Sequence, residues 1–346
     1  MSREPAIMAI EAAEAPDVVR GALAANAALL RTLGEDLRRQ PPSMVLTCAR
    51  GSSDHAALFG KYLIEQSLRV PVGSMAPSVV SVAGAPPRDL RTALVIAVSQ
   101  SGRSPDIVAT AHAARDAGAR VVAIVNDPAS PLAEAASLMV PLGAGIERSV
   151  AATKTCIASL AALADLVRYW AGDGALDTAL AALPGDLAAA AALDWTPMVE
   201  AFTGAQNLFV VSRGAGFGVA HEIALKFKET CAIHAEAFSA AEVEHGPMAI
   251  VRDGLPVLML AAPDQSGPEV IALAHRFAAR GARVLCAGIA ASIDGVTALP
   301  VPPGLNPQLA PIAWLPSFYP AAARLASARG LDPDRPPFLN KVTETT

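Results

Sequence analysis

The chain has 346 residues, 53% of them hydrophobic, and a formal net charge of −5. That length fits two domains of ordinary size with large cores, while the acidic balance and the lack of a long basic stretch argue against nucleic acid as a partner. Apolar runs broken by Gly, Pro or charge leave no membrane span, and the acids in "MSREPAIMAIEAAEAP" leave no signal-peptide core. Cys48, Cys156, Cys231 and Cys286 are too scattered for a metal spacing or a disulfide framework, so a cytoplasmic location is expected.

In chain order, residues 3–40 read as helix, rich in Ala, Leu and Glu, and stop before Pro41-Pro42. "MVLTCA" (44–49) is a short apolar run followed by a polar turn entering a helix, and "TALVIAVS" (92–99) repeats that plan with "SPDIVATAHAARDAG" as its helix. Further buried-strand patterns fall at 119–127 and 137–143, and "GIERSVAATKT" (145–155) reads as a loop entering a helix. Residues 172–200, Ala-rich and without a strand signal, read as a connecting helix or linker. The plan then restarts: "NLFVVSRGAG" (207–216) is similar to "MVLTCARGSS" (44–53), "LPVLMLAAP" (255–263) to "TALVIAVSQ", and "ARVLCAG" (282–288) to "ARVVAIV". Continuous apolar runs alternating with helices indicate an α/β, doubly wound parallel sheet, here duplicated at low identity. The expected division is an N-terminal helical segment (1–43), two α/β domains (44–190 and 191–330) and an extended C-terminal tail (331–346).

Ligands of doubly wound sheets sit at the carboxyl ends of the strands. A helix N-terminus there offers free N–H groups and partial positive charge. Ser99, Gln100, Ser101 and Ser104 around Gly102 supply three hydroxyls and an amide at such a point. One helix needs one cap, so the surplus fits a cradle for a phosphate or another anion. Ser52 and Ser53, after Gly51, repeat the design behind the first strand. Neither loop is a Walker loop or a dinucleotide fingerprint.

The other informative stretch is "AHEIALKFKETCAIHAEAFSAAEVEHGPMAI" (220–250). Glu222, Lys226 and Glu229 share one helix face, with Ile223 and Phe227 on another. Such a stripe reads equally well as an exposed ion-pair face. His234, Glu236, Glu242, Glu244 and His245 follow closely and supply acid–base equipment for proton transfer near neutral pH. Their spacing matches no metal-ligand motif, and no metal or cofactor is expected. The chain has five lysines (61, 154, 226, 228 and 341) among 27 cationic residues, so a lysine here is more often present for its primary amine. Lys61 reads as a surface residue.

At "SQSGRSPD", "ERSVAATKT", "ALKFKETCAIHAEAFSAAEVEHGP" and "NKVTE" the chain resembles the sugar isomerase (SIS) domain family, and within it the isomerase half of the glutamine–fructose-6-phosphate aminotransferases. The resemblance runs from about residue 44 to the C-terminus. It implies two tandem flavodoxin-like SIS domains, a sugar-phosphate ligand, and a homodimer with active sites near the subunit interface. By position it implies Ser99, Gln100, Ser101 and Ser104 as the phosphate loop, with Ser52 and Ser53 lining the same sugar phosphate. Glu229 matches the base that moves a proton between sugar carbons 1 and 2, and Lys226 the lysine beside it. His245 matches a ring-opening histidine supplied by the neighbouring subunit, Lys341 a tail lysine able to form a Schiff base, and Val150 and Ala151 backbone that contacts the sugar.

Two departures matter. Ala152 stands where the aminotransferases carry a sugar-contacting serine. The chain also opens Met1-Ser2-Arg3, where those enzymes place a cysteine nucleophile after Met1, so synthesis from glutamine is not expected. The resemblance then implies a deaminase that turns glucosamine 6-phosphate into fructose 6-phosphate and ammonia. A galactosamine-6-phosphate deaminase, a fructosyl-amino-acid 6-phosphate deglycase, another phosphosugar isomerase, or a non-catalytic sugar-phosphate sensor are the alternatives. The short acidic segment 1–43 is unlike a DNA-binding effector and argues against the sensor.

Overall fold

Two helices open the chain, α1 (Ile7–Ala13) and α2 (Ala15–Arg39), in a computed structural model that describes residues 5–341. Then follow β1 (Met44–Cys48), α3 (Gly51–Leu68), β2 (Val72–Ser74), α4 (Pro77–Ser81), β3 (Ala93–Ser99), α5 (Pro105–Asp116), β4 (Arg120–Val125), α6 (Pro131–Ala135) and β5 (Leu138–Pro141). Helices α7 (Lys154–Ala171), α8 (Gly174–Ala191) and α9 (Thr196–Phe202) lead into β6 (Asn207–Ser212), α10 (Gly216–Cys231) and β7 (His234–Ser239). Two 3-10 turns (Glu242–His245 and Pro247–Ile250) precede β8 (Pro256–Leu260), α11 (Gly267–Ala278), β9 (Arg283–Ala287), β10 (Val296–Leu299) and α12 (Ala310–Ala328).

The strands form two five-stranded sheets, ordered β2-β1-β3-β4-β5 and β10-β9-β8-β6-β7, and all ladder pairs within them are parallel. Counted from its own first strand, each sheet has the order 2-1-3-4-5, the flavodoxin-like doubly wound arrangement. The duplication seen in sequence is therefore a duplication of topology. Central strands are covered on both faces, which is why they read as unbroken apolar runs: all seven residues of β3 are buried. The strands without such runs, β2, β7 and β10, lie at sheet edges, where short length and polar residues hide the pattern.

The chain divides into two compact units. One comprises Asp17–Glu147, Lys154–Ala181 and the tail from Asn340. It is built on β1–β5, with Val95, Ala97, Ile107, Val121, Ala123 and Leu132 among its core residues. Its α7 packs against α3. The other comprises the stretch through Pro16, Arg148–Thr153 and Ala182–Leu339. It is built on β6–β10, around Phe209, Val211, Val257, Met259, Leu273 and Phe277. In it α12 buries Trp314, Phe318 and Tyr319, and the Phe227 and Phe318 rings meet edge-on at 5.2 Å between centroids. The tail stretch 331–339 forms neither helix nor strand. It still caps α1: the Asp334 carboxylate accepts the N–H groups of Ile7 (2.7 Å) and Met8 (2.8 Å).

Each unit carries the same clasp where its strand order reverses. In the first, Arg50 follows β1 and pairs with Asp106 of α5, Nη2 to Oδ2 2.9 Å. In the second, Arg213 follows β6 and pairs with Glu269 of α11, Nη1 to Oε2 2.9 Å. A positive-φ glycine follows each arginine, Gly51 at 53° and Gly214 at 61°.

Candidate functional site

The turn from β3 to α5 is wound tightly. Ser99 is buried at the end of β3, and its Oγ accepts the Gly102 N–H at 3.0 Å. Gly102 has φ +63°, and a Cβ there would lie 2.2 Å from Ser130 Oγ, so only glycine fits. Ser101 Oγ accepts the Arg103 N–H at 3.3 Å, and the Gln100 carbonyl accepts the Asn126 N–H at 3.3 Å. Ser104 occupies the N-cap position of α5 without making the side-chain cap. Its hydroxyl is not spent on the helix, in keeping with a surplus of polar groups at this turn. Gln100, Ser101 and Ser104 are half-buried, as are Ser52 and Ser53 in the first turn of α3. The two serine groups follow adjacent parallel strands, β1 and β3, at the switch point where such sheets bind ligands.

The same unit holds Glu147, which sequence reasoning passed over. Its carboxylate accepts the N–H and Oγ–H of Thr155 at 3.1 and 2.7 Å and the Lys341 Nζ at 2.8 Å. Lys154, the first residue of α7, donates to the Ile146 carbonyl at 2.8 Å and closes the loop before the helix. Lys61 donates to Glu65 and to the Val72 carbonyl, a local structural role. Of the run "NKVTE", Val342, Thr343 and Glu344 lie outside the described residues.

In the other unit, α10 carries the Glu–Lys–Glu stripe inward. Lys226 is 0% exposed, with its Nζ 3.3 Å from Glu222 Oε1 and 2.5 Å from Glu229 Oε2. Glu222 is 1% exposed and accepts the Tyr319 hydroxyl at 3.1 Å, whereas Glu229 keeps 22% of its side-chain surface. The exposed ion-pair face is thus ruled out. One buried ammonium serves two carboxylates, and Glu229 is the member of the set with an outlet to the surface. Burying charges costs more than their pairing returns unless further hydrogen bonds complete the set; Tyr319, which no local sequence signal links to α10, is one of them.

Val150 and Ala151 lie in the 148–153 stretch of this unit. Glu11 of α1, also missed, accepts the N–H groups of Arg148 (2.5 Å) and Ser149 (3.1 Å). The Ser149 hydroxyl shares its proton between Glu11 (2.6 Å) and the Ala151 carbonyl (2.9 Å). Ala152 is half-buried.

His245 ends the first 3-10 turn and is exposed. With Arg213, Glu244, Glu269 and Arg276 it lines a cavity of about 290 Å³, in which Arg276 pairs with Glu244. His234 and Glu236 sit exposed on β7, and Glu242 is exposed on the turn. The dense run of acids and histidines in the sequence therefore does not fold into one cluster, and among the described residues no group of three His, Cys, Asp or Glu is placed to hold a metal ion. All four cysteines are free and buried. Burial pushes the Cys48 and Cys286 thiols up to about 12 and Cys231 to about 11, so these three are poor nucleophiles.

Two parallel sheets of flavodoxin order, one with a hydroxyl-rich strand-to-helix turn and the other with a buried acid–base helix, define a tandem α/β protein of the ligand-binding doubly wound class. The SIS domain family matches residues 41–167 and 201–293, and the chain belongs to it. Among its relatives, the glutamine–fructose-6-phosphate aminotransferase (isomerizing) of Aeropyrum pernix is 35% identical over 323 residues, 86% of this chain and 50% of that protein. The chain spans about half the length of such curated relatives. A Silicibacter pomeroyi structure, provisionally described as a phosphosugar isomerase, is 42% identical with a TM-score of 0.89, covering 95% of this chain and all of that one. The glucosamine-6-phosphate deaminase of Thermotoga maritima shares the fold at 21% identity, with a TM-score of 0.72 over 95% of this chain and 100% of its own.

Proposed function

We propose that the chain is a phosphosugar enzyme that deaminates and isomerises glucosamine 6-phosphate to fructose 6-phosphate and ammonia. The observation that carries this reading is the buried Glu222–Lys226–Glu229 set with its single partly exposed carboxylate. A base that must reach a substrate carbon needs an outlet, and a carbanion-like intermediate needs a fixed positive charge close to it. Ser99, Gln100, Ser101, Ser104, Ser52 and Ser53 hold the phosphate. Val150 and Ala151 offer backbone groups to the sugar. His245, supplied by a second copy of the chain in a homodimer, moves the proton that opens the ring. Glu229 then takes the proton from carbon 2 and delivers it to carbon 1, turning the aldose amine into a ketose imine. Water adds to carbon 2 of that imine and ammonia leaves. Lys226 balances the negative charge that develops between the two proton transfers, and Lys341 places a cation at the sugar. The match to a chain named as a deaminase along its full length supports this reading at the level of fold.

The test is ammonia release from glucosamine 6-phosphate by the purified protein, with fructose 6-phosphate followed in parallel. Equal appearance of both products is expected. Thermal stabilisation by the sugar without turnover would overturn the glucosamine-6-phosphate deaminase and leave either a different amino-sugar substrate or a sensor. Because Ala152 lacks the hydroxyl of the related serine, galactosamine 6-phosphate and a fructosyl-amino-acid 6-phosphate belong in the same assay.

A further inference from the structure

Thr155 and Lys341 converge on one buried carboxylate. Glu147 has a side chain 0% exposed. Thr155, in the first turn of α7, gives it a backbone N–H and a hydroxyl. A helix start favours an anion, because its first N–H groups are free and its dipole is positive there. These two bonds fix the carboxylate before the tail contributes anything, and Glu147 Oε2 then also receives the Lys341 ammonium at 2.8 Å. Lys341 itself belongs to a stretch without helix or strand. A lysine there is a cation on a four-carbon stem with large rotamer freedom, and a preset buried partner is what gives its amine one location.

We propose that Glu147 is the positioning residue for Lys341, setting where the tail amine stands for the sugar. This rests on the reading of Lys341 as a site group given above. Glu147 acts through the lysine and touches no substrate. The alternative role, a brace for the loop before α7, makes different predictions, because Thr155 supplies that brace without the tail.

Glu147→Gln keeps shape and an oxygen for Thr155 and removes the charge. The expected result is a fall in kcat for ammonia release of roughly 10- to 100-fold, with KM little changed. In a Lys341→Met background the same substitution is expected to add no further loss; independent, multiplying losses would overturn the proposal. A second readout needs no turnover. The rate of Lys341 acetylation by acetic anhydride, read by peptide mass spectrometry on folded protein, is expected to rise several-fold in Glu147→Gln, with Lys61 as an unchanged internal reference. Glu147→Asp, which keeps the charge, is expected to fall between the two, and it serves if the Gln variant does not fold. Equal labelling in wild type and variants overturns the positioning role whatever the substrate. Faster labelling beside a silent ammonia assay overturns the deaminase reading alone and upholds the positioning role.

Discussion

A fully buried lysine between two carboxylates is expensive to keep, and its removal is expected to show as much. Lys226→Met leaves Glu222 and Glu229 facing each other without a counter-charge. Breaking a buried pair from one side costs about 3–5 kcal/mol, so a lowered melting temperature should accompany lost turnover. Glu229→Gln separates the two effects. It stays close to isosteric and keeps an acceptor for the lysine, so the protein should melt near the wild-type temperature while kcat drops by ~10²–10⁴. A Glu229→Gln variant with an intact rate would remove Glu229 from the mechanism.

At the scale of elements, the β3–α5 turn is the most sharply constrained. Gly102→Ala puts a Cβ against Ser130 on a backbone at φ +63°. Its expected outcome is a drop of several degrees in Tm together with weaker binding of inorganic phosphate, measured by calorimetry. Helix α7 offers a second test. Burial pushes the Asp165 carboxyl up to about 6 from an ordinary 3.8, against the opposing pull of Arg168. Arg168 Nη2 stands 2.5 Å from Asp165 Oδ1, so the buried carboxyl has one close cation beside it. The unfolded chain ionises Asp165 first while the native state retains the proton, so the native state is penalised progressively as pH rises from about 4 to about 6. Asp165→Asn has no such penalty. Its stability relative to wild type should rise by ~2 kcal/mol over that window and stay level above it, as read from denaturant melts at each pH.

These elements also show what could be read in advance. The central strands β1, β3, β4, β6, β8 and β9 announced themselves because burial on both faces demands continuous apolar runs. The edge strands β2, β7 and β10 did not; β7 in particular reads as a polar run of His and Glu. The clustering of Glu222, Lys226 and Glu229 follows from helical spacing alone, but their burial does not, since it depends on α12 and on Tyr319, which lies 97 residues beyond Glu222. Glu11 and Glu147 were invisible for the same reason: each acts on a partner that the fold brings near and no periodicity marks.

For the whole molecule, the duplication has not been kept symmetric. Arg50–Asp106 and Arg213–Glu269 persist as a pair of clasps. Ala215 and Gly216 stand where the first unit has Ser52 and Ser53, and Asp264 engages Ser266 in the second unit's own strand-to-helix loop. Inorganic phosphate is therefore expected to saturate at one equivalent per chain in a calorimetric titration. If His245 serves a second copy, mixing inactive Glu229→Gln and His245→Ala chains should restore part of the turnover, since one kind of mixed site carries both wild-type groups. No recovery after subunit exchange would place His245 in its own chain's site.

The cap that Asp334 gives α1 joins residues separated by 327 positions in one bond and 326 in the other. At translation speeds of about 5–20 residues per second, roughly 15–65 s pass between the synthesis of Ile7 and that of its capping carboxylate. Glu11, which holds the backbone of Arg148 and Ser149, sits on that same short helix, and the Lys341 partner of Glu147 emerges from the ribosome later still. On the ribosome, then, helix α1 is made long before its cap, and a nascent chain arrested before Asp334 would carry both sheets while lacking the carboxylate that caps α1.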